Sequence, residues 1–309
     1  MGMSASFGTR PGPGGFLSPT LLAWWLRLPR SLARCIAPGL LATLAAASAL
    51  AAPGELDPTF GNAGRTSITL QDAFGSPLSS VEIKASAQQA DGKLLLGGRV
   101  ALSDSYYDFL VIRLNADGSL DTSFDFDGWA AIDIVPVGSD DYVYGLAVQP
   151  DGKIIGVGQT RDIYSSAADM ALVRLNDDGS PDTTFGTNGV VVYDSGGSNI
   201  DYAVAAVIQT GGITIAGNTD RNGEQDVLFA RFTTSGVLDP TFGTDGETLV
   251  TLGQGSYEFV NALAQDSSES LVAVGQGYGS NVNTMLAIRV TADGDLDTSF
   301  DSDGIASIV

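Results

Sequence analysis

Five carboxylates stand within eleven residues near the end of the chain: Asp293, Asp295, Asp297, Asp301 and Asp303, in the run Asp-Gly-Asp-Leu-Asp-Thr-Ser-Phe-Asp-Ser-Asp-Gly. Like charges so close favour a hard cation, and calcium is the cation that such oxygen ligands hold weakly outside cells. The run is not an EF-hand loop: its sixth position is Thr298 where that loop needs Gly, and its twelfth is Gly304 rather than Glu. Asp before Gly also forms turns by accepting from its own backbone. Turn chemistry is therefore the first reading of these residues, and calcium, the one cofactor the sequence suggests, the second.

Other chemistry is thinly provided. The 309 residues include no histidine and a single cysteine, Cys35, which removes imidazole triads, His-based metal sites and disulfide frameworks. Neither a Gly-x-Ser-x-Gly elbow nor a phosphate-cradling Gly-Lys-Ser/Thr loop occurs. An enzyme is accordingly the less favoured class. From Glu55 onward eleven basic residues face 36 acidic ones, a balance of −25, and a surface that negative repels phosphate backbones and anionic lipid. Nucleic acid is excluded as a partner.

The first 52 residues read as an export signal. Positive charge alone (Arg10, Arg27, Arg30, Arg34) precedes an apolar run that ends in Ala49-Leu50-Ala51-Ala52, the order and small-residue ending of a cleaved leader. Cleavage after Ala51 or Ala52 removes Cys35, and the only membrane contact foreseen is through an uncleaved leader. The expected location is the periplasm or the medium.

Residues 53–309 are repetitive. A nonapeptide recurs from Leu56, Leu120, Pro181, Leu238 and Leu296, as in Leu238-Asp-Pro-Thr-Phe-Gly-Thr-Asp-Gly246, and the first and last copies are 240 residues and four steps apart, a mean period of 60. Between copies the events keep one order: a β-branched run, a loop, a strand ending in Gln, an Asp-Gly turn, a return strand and a strand centred on Arg. Asp-Gly between apolar runs signals a hairpin. Four strands per period make one propeller blade, and the Arg strand, oily on both faces (Leu110, Ile112, Leu114 and Phe109, Val111), needs sheets stacked on either side. The expected fold is an all-β propeller of about 60-residue, four-stranded repeats, four blades being favoured. A stacked β-solenoid is the alternative. Counting Thr66–Leu70 and Ile305–Val309, about 17 strands are foreseen where four blades need 16. One terminal strand could close the ring by pairing with the other terminus, leaving the other spare or as an edge for a second chain; a four-blade ring of one chain is the first expectation and a homodimer the second.

The alternation of Leu-Asp-x-Thr/Ser-Phe-Gly/Asp-x-x-Gly, Gln-x-Asp-Gly-Lys and Arg-Leu-Asn-x-Asp-Gly-Ser resembles the delta-60 repeat family. That resemblance implies an exported bacterial β-propeller with no assigned activity. Val148-Gln-Pro-Asp-Gly-Lys153 is also similar to the inner strand pair of NHL-type blades, which implies that the strand before Asp-Gly-Lys lies nearest the axis.

In a ring of like units, a residue type present in every unit serves the fold, and a functional site must break the symmetry. Arg113, Arg174, Arg231 and Arg289 are expected to pair with the nonapeptide aspartates, and Phe124 and its counterparts to plug the core. If blade order follows chain order, the repetitive turns share one end and the irregular loops the other. Those loops hold Tyr106, Tyr107, Tyr164, Tyr257 and Tyr278, the expected ligand-binding residues. The reading is a binding or scaffold module whose partner, an extracellular protein or glycan, meets the loop face. Two alternatives are a calcium-dependent propeller hydrolase or lactonase, and a structural component of the cell surface or matrix.

Overall fold

The computed structural model describes residues 54–308, apart from 72–74, 77, 79, 103–105, 136–137, 165–166, 197–199, 222, 254–255 and 279–282. Residues 1–52, read above as an export signal, lie outside the described residues. Among the described residues sixteen strands form four antiparallel sheets, each in chain order. The first blade comprises β1 (Ser80–Gln88), β2 (Leu94–Ala101), β3 (Asp108–Leu114) and β4 (Trp129–Ile132); the second β5 (Ser139–Val148), β6 (Ile154–Asp162), β7 (Ala168–Leu175) and β8 (Val190–Tyr193). The third holds β9 (Tyr202–Gln209), β10 (Gly212–Thr219), β11 (Asp226–Phe232) and β12 (Glu247–Val250); the fourth β13 (Tyr257–Gln265), β14 (Leu271–Tyr278), β15 (Asn283–Val290) and β16 (Ile305–Ile308). Separate four-stranded sheets are propeller blades and not the coils of a solenoid. Chain-order blades place the Asp-Gly turns and the nonapeptides at one end, and the irregular loops at the other.

The repeated motifs explain the local structure. In Gln89-Ala-Asp-Gly-Lys93, Gly92 takes φ 88°, its N–H donates to Gln89 O at 3.0 Å and Gln89 N–H donates to Lys93 O at 2.9 Å. Only a residue without a Cβ adopts that φ cheaply. In the nonapeptide, Asp121 Oδ1 accepts from Ser123 N–H (3.1 Å) and Oγ–H (2.6 Å), an Asx turn, while its Oδ2 meets Arg113 Nε at 2.7 Å and Lys93 Nζ at 3.0 Å. Burial, the largest single influence on Asp121, pushes its carboxyl up. Ser123, Lys93 and Arg113 together outweigh it and hold the carboxyl well below its ordinary range. Arg174–Asp182 (2.8 Å), Arg231–Asp239 (2.8 Å) and Arg289–Asp297 (3.2 Å) repeat the pair. The expected Arg–Asp partners are thus found in every blade.

The same residues lock consecutive blades together. Arg113, Arg174 and Arg231 each donate through Nη1 to a carbonyl of the next blade, Asp177, Thr234 and Ala292 respectively. The following carbonyls, Asp178, Ser235 and Asp293, accept from Asp125, Gly186 and Gly243 N–H at 2.7–2.9 Å. Phe124, Phe185 and Phe242 are fully buried beneath their own blade's Arg guanidinium, 4.6–5.0 Å away, and each lies against a turn glycine of the next blade, Gly179, Gly236 or Gly294, where a Cβ would come within 3.1 Å of the ring. Apolar clusters fill the joints between blades one and two, two and three, and three and four.

The ends differ from expectation. Ile305–Ile308 pairs with Met285–Ile288 in its own blade and not with the other terminus. Thr66–Leu70 is not a strand, because none of the four described sheets offers it a ladder partner. Instead Ile68, Leu70 and Leu78 cover the first blade's far face at Val100, Leu110, Ile112 and Leu114. Gly61 N–H donates to Asp117 O at 2.6 Å, and Phe60 lies on Gly118, as the plug of a preceding blade would. No apolar cluster among the described residues joins the fourth sheet to the first.

Candidate functional site

Each inner strand carries a β-bulge at the same place. Register shifts fall at Ile83/Ala85, Val143/Gly145, Ala203/Ala205 and Val260/Ala262, so Lys84, Tyr144, Val204 and Asn261 are the extra residues. A glycine on the second strand faces each bulge. A Cβ on Gly98, Gly158, Gly217 or Gly275 would lie 1.7–2.3 Å from the carbonyl oxygen of Glu82, Tyr142, Tyr202 or Phe259. Sequence therefore fixes the bulge through one missing side chain. A bulge re-aims the residues around it and is frequent beside functional sites.

What the bulges present differs from blade to blade. The equivalent positions are Glu82, Tyr142, Tyr202 and Phe259, followed by Lys84, Tyr144, Val204 and Asn261. Facing the first set across the ladder are Arg99, Gln159, Asn218 and Gln276. Here, unlike at the Arg and Phe positions, the repeat symmetry is broken in the way a single site requires.

These residues make a continuous half-buried aromatic row. Tyr107 and Tyr142 have ring centroids 6.4 Å apart, Tyr142 and Tyr144 stack at 5.9 Å and 18°, and Tyr144 meets Tyr202 edge-on at 5.8 Å. Arg99 heads the row, its Cζ 4.0 Å from the Tyr107 centroid and 4.4 Å from that of Tyr142, within cation–π range. Its Nε and Nη2 both donate to Glu82 Oε2, at 2.8 and 2.7 Å. The Lys84 ammonium, 2.5 Å from Glu82 Oε1, and then Arg99 hold the Glu82 carboxyl below its ordinary range. Burial pushes the Tyr144 phenol up to about 12 and raises Tyr142 and Tyr202 as well. All three rings are neutral phenols at physiological pH.

Backbone and amide contacts fix the row. Tyr107 N–H donates to Asp140 Oδ1 at 3.1 Å and Asp141 N–H to Tyr107 O at 2.7 Å, joining the first two blades. Asn218 Nδ2 donates to Tyr202 Oη at 3.3 Å, while its Oδ1 accepts from Val260 N–H at 3.1 Å, joining the third to the fourth. Asp141, fully buried between these contacts, accepts from Ile134 N–H at 2.8 Å. Burial raises its carboxyl to about 6.

Of the tyrosines expected from the sequence, Tyr107 belongs to the row and Tyr106 immediately precedes it. Tyr278 packs edge-on against Phe259 at 5.8 Å and pairs in register with Tyr257. Tyr164 stands apart: 79% exposed, it borders a hollow of about 380 Å³ with Thr160, Asp162 and Asp169. Tyr142, Tyr144 and Tyr202 were not foreseen, because alternation in a strand reads as core. Lining up the four repeats at the bulge would have found them. The carboxylates Asp293, Asp295, Asp297, Asp301 and Asp303 sit at the turn end. Asp297 accepts from Ser299 and pairs with Arg289, Asp303 accepts from Ile305 N–H at 2.9 Å, and Asp293 O takes the bond from the third blade. Among the described residues no three acidic side chains are grouped as a metal ion would need.

Four segments, residues 89–124, 149–185, 209–242 and 270–300, match a family described as "Domain of unknown function (DUF5122) beta-propeller". These are β-propeller repeats. Each matched segment holds the Arg strand and the head of the nonapeptide, and the first three also the Asp-Gly turn or its counterpart, the parts that build and join blades. No curated protein matches. Similar solved structures include a protein of unknown function from Dyadobacter fermentans DSM 18053 (13% identity, TM-score 0.44, covering 68% of this chain and 65% of that one). They also include MPT-4, a mannose phosphorylase from Leishmania mexicana (13%, 0.37, 72% and 65%), and an exo-1,5-alpha-L-arabinanase from a bovine ruminal metagenomic library (10%, 0.38, 67% and 75%). The chain spans 65% of the length of the first two. Likeness this distant says nothing about activity.

Proposed function

We propose that this chain is a binding module, exported to the periplasm or beyond the cell, that holds an uncharged glycan along the inner-strand bulges at the loop end of its blades. The delta-60 assignment, supported by the motifs quoted above, belongs to the same proposal. The observation that carries it is the row Arg99–Tyr107–Tyr142–Tyr144–Tyr202, at the positions where the repeats differ. Half-exposed phenol rings offer apolar faces to sugar rings and hydroxyls to their edges. Glu82, Lys84 and Asn261 add donors and acceptors for sugar hydroxyls. The strongly negative chain disfavours anionic polymers. A hydrolytic reading would need paired free carboxylates at this place, and Glu82 is ion-paired to Arg99 and Lys84.

Calorimetric titration of the purified chain with a panel of neutral oligosaccharides tests this. Replacing both Tyr142 and Tyr202 by Ala removes two stacking faces worth about 1 kcal/mol each, and is expected to weaken binding about 10- to 100-fold. Tyr164→Ala is expected to change it less than about twofold. Binding that survives the double replacement and disappears with Tyr164 would move the site to the outer loops.

A further inference from the structure

The fourth blade repeats the face that every other blade turns toward its successor, and no apolar cluster among the described residues covers it. In the third blade Ala216, Val227 and Val250 occupy that face at 0%, 0% and 2% exposure, packed on the fourth blade. Ladder register makes Val274, Met285 and Ile308 their counterparts, and these are 44%, 63% and 61% exposed. The lock is open too. The Arg289 side chain is 31% exposed, against 3–9% for the other three, and its Nη2 turns back to Asp266 of its own blade. Phe300, unlike Phe124, Phe185 and Phe242, is only half-buried.

What this face fits is known from the joints already made: consecutive turn carbonyls, a turn glycine for the Phe ring and an apolar sheet behind. The first blade owns such a socket, at Asp117 and Gly118, and none of the four described sheets occupies it. Its occupant is the chain's own segment around Phe60, a free-standing copy of the plug. That segment leaves the first blade's inner strand open, with Val81 and Ile83 each 40% exposed, so a whole blade would bury more there than the segment does.

We propose that the outward face of the fourth blade docks on the first blade of a second copy of this chain. Phe300 and the Asp301 N–H enter the Asp117–Gly118 socket in place of that copy's Phe60 segment. Two such joints, made reciprocally, close a dimer of eight blades, a count within the propeller range, and closure avoids open-ended filaments.

Sedimentation equilibrium of the full chain from about 1 to 100 µM is expected to show a monomer–dimer equilibrium. Met285→Asp, on the exposed face, is expected to leave the melting temperature unchanged and weaken the dimer at least tenfold; Phe60→Ser, which loosens the segment held in cis, is expected to strengthen it at least tenfold. Cys35→Ser chains carrying Asp301→Cys or Asp117→Cys are then mixed in a glutathione redox buffer. A disulfide between the two kinds supports the head-to-tail joint, since a plug in this socket brings those positions within bridging distance. A chain that stays monomeric across the range, a dimer indifferent to Met285→Asp or to Phe60→Ser, or a disulfide formed only between like variants would each overturn it.

Discussion

Gly275→Ala and Gly277→Ala differ by two positions on β14 and separate the bulge from ordinary packing. A Cβ at Gly275 would lie 1.8 Å from Phe259 O and 2.8 Å from its carbonyl carbon, both backbone atoms of the bulged strand. At Gly277 the nearest atoms are Thr284 Oγ1 at 3.0 Å and Leu252 Cδ1 at 3.5 Å, both side-chain ends that can rotate away. Neither glycine has a positive φ, so backbone strain is equal and the clash alone differs. Relieving the first contact means moving the Phe259 carbonyl by more than about 1 Å, at a cost of roughly 2–4 kcal/mol, whereas the second costs under about 1 kcal/mol. For a domain of this size each kcal/mol lowers the melting temperature by about 2–4 °C. Thermal melts followed by circular dichroism should therefore show a fall of about 5–15 °C for Gly275→Ala and only a few degrees for Gly277→Ala. The fourth blade lies at one end of the series and can open locally, so hydrogen exchange of Tyr257–Gln265 is measured alongside. Equal melting and equal exchange in the two variants would refute the claim that the glycine imposes the bulge.

The other predictions concern charge. Asp141, whose carboxyl is raised to about 6 by burial, keeps its proton in the folded chain at pH values where the unfolded chain releases it. Its stabilising contribution is complete below about pH 4 and lost as pH rises through 6, by about 3 kcal/mol in all. Asp141→Asn, which still accepts from Ile134 N–H, should thus be more stable than wild type at pH 7 and show a smaller loss between pH 4 and 7 in urea titrations; an unchanged difference at the two pH values would contradict this. Arg174→Met leaves buried Asp182 with Lys153 as its only ion-pair partner among the described residues and should cost about 3 kcal/mol or more. Arg289→Met, at the half-exposed copy of the pair, should cost under about 1 kcal/mol.

Much of the fold was legible because its motifs are punctuation. Gly92 and Gly152, one period apart, mark hairpins whatever surrounds them, and an Arg amid apolar neighbours demands a carboxylate that the nonapeptide supplies. The two-faced burial of Phe109–Leu114 called for a sheet on each side, whereas on one side the irregular segment with Ile68, Leu70 and Leu78 supplies the cover instead. What stayed hidden depended on register. A bulge shifts which side chains share a face, so alternation alone does not bring Tyr142 and Tyr144 together with Tyr107 and Tyr202, and Gly158 carries no mark of the bulge it faces. Thr66–Leu70 has the composition of a strand but no neighbour to pair with, which only the assembled blades reveal. The tyrosines expected at the loop end differ from the aromatic row, which lies on the inner strands beside those loops, with Tyr107 as the link between them.

The ring resonances of the nine tyrosines offer the most direct measurement. The chain carrying 13C-labelled tyrosine rings is titrated with the neutral oligosaccharide it binds most tightly. Saturable shifts at Tyr107, Tyr142, Tyr144 and Tyr202, with Tyr164 unmoved, are the predicted result. Shifts confined to Tyr106, Tyr164 and Tyr257, or none with any member of the panel, would contradict it.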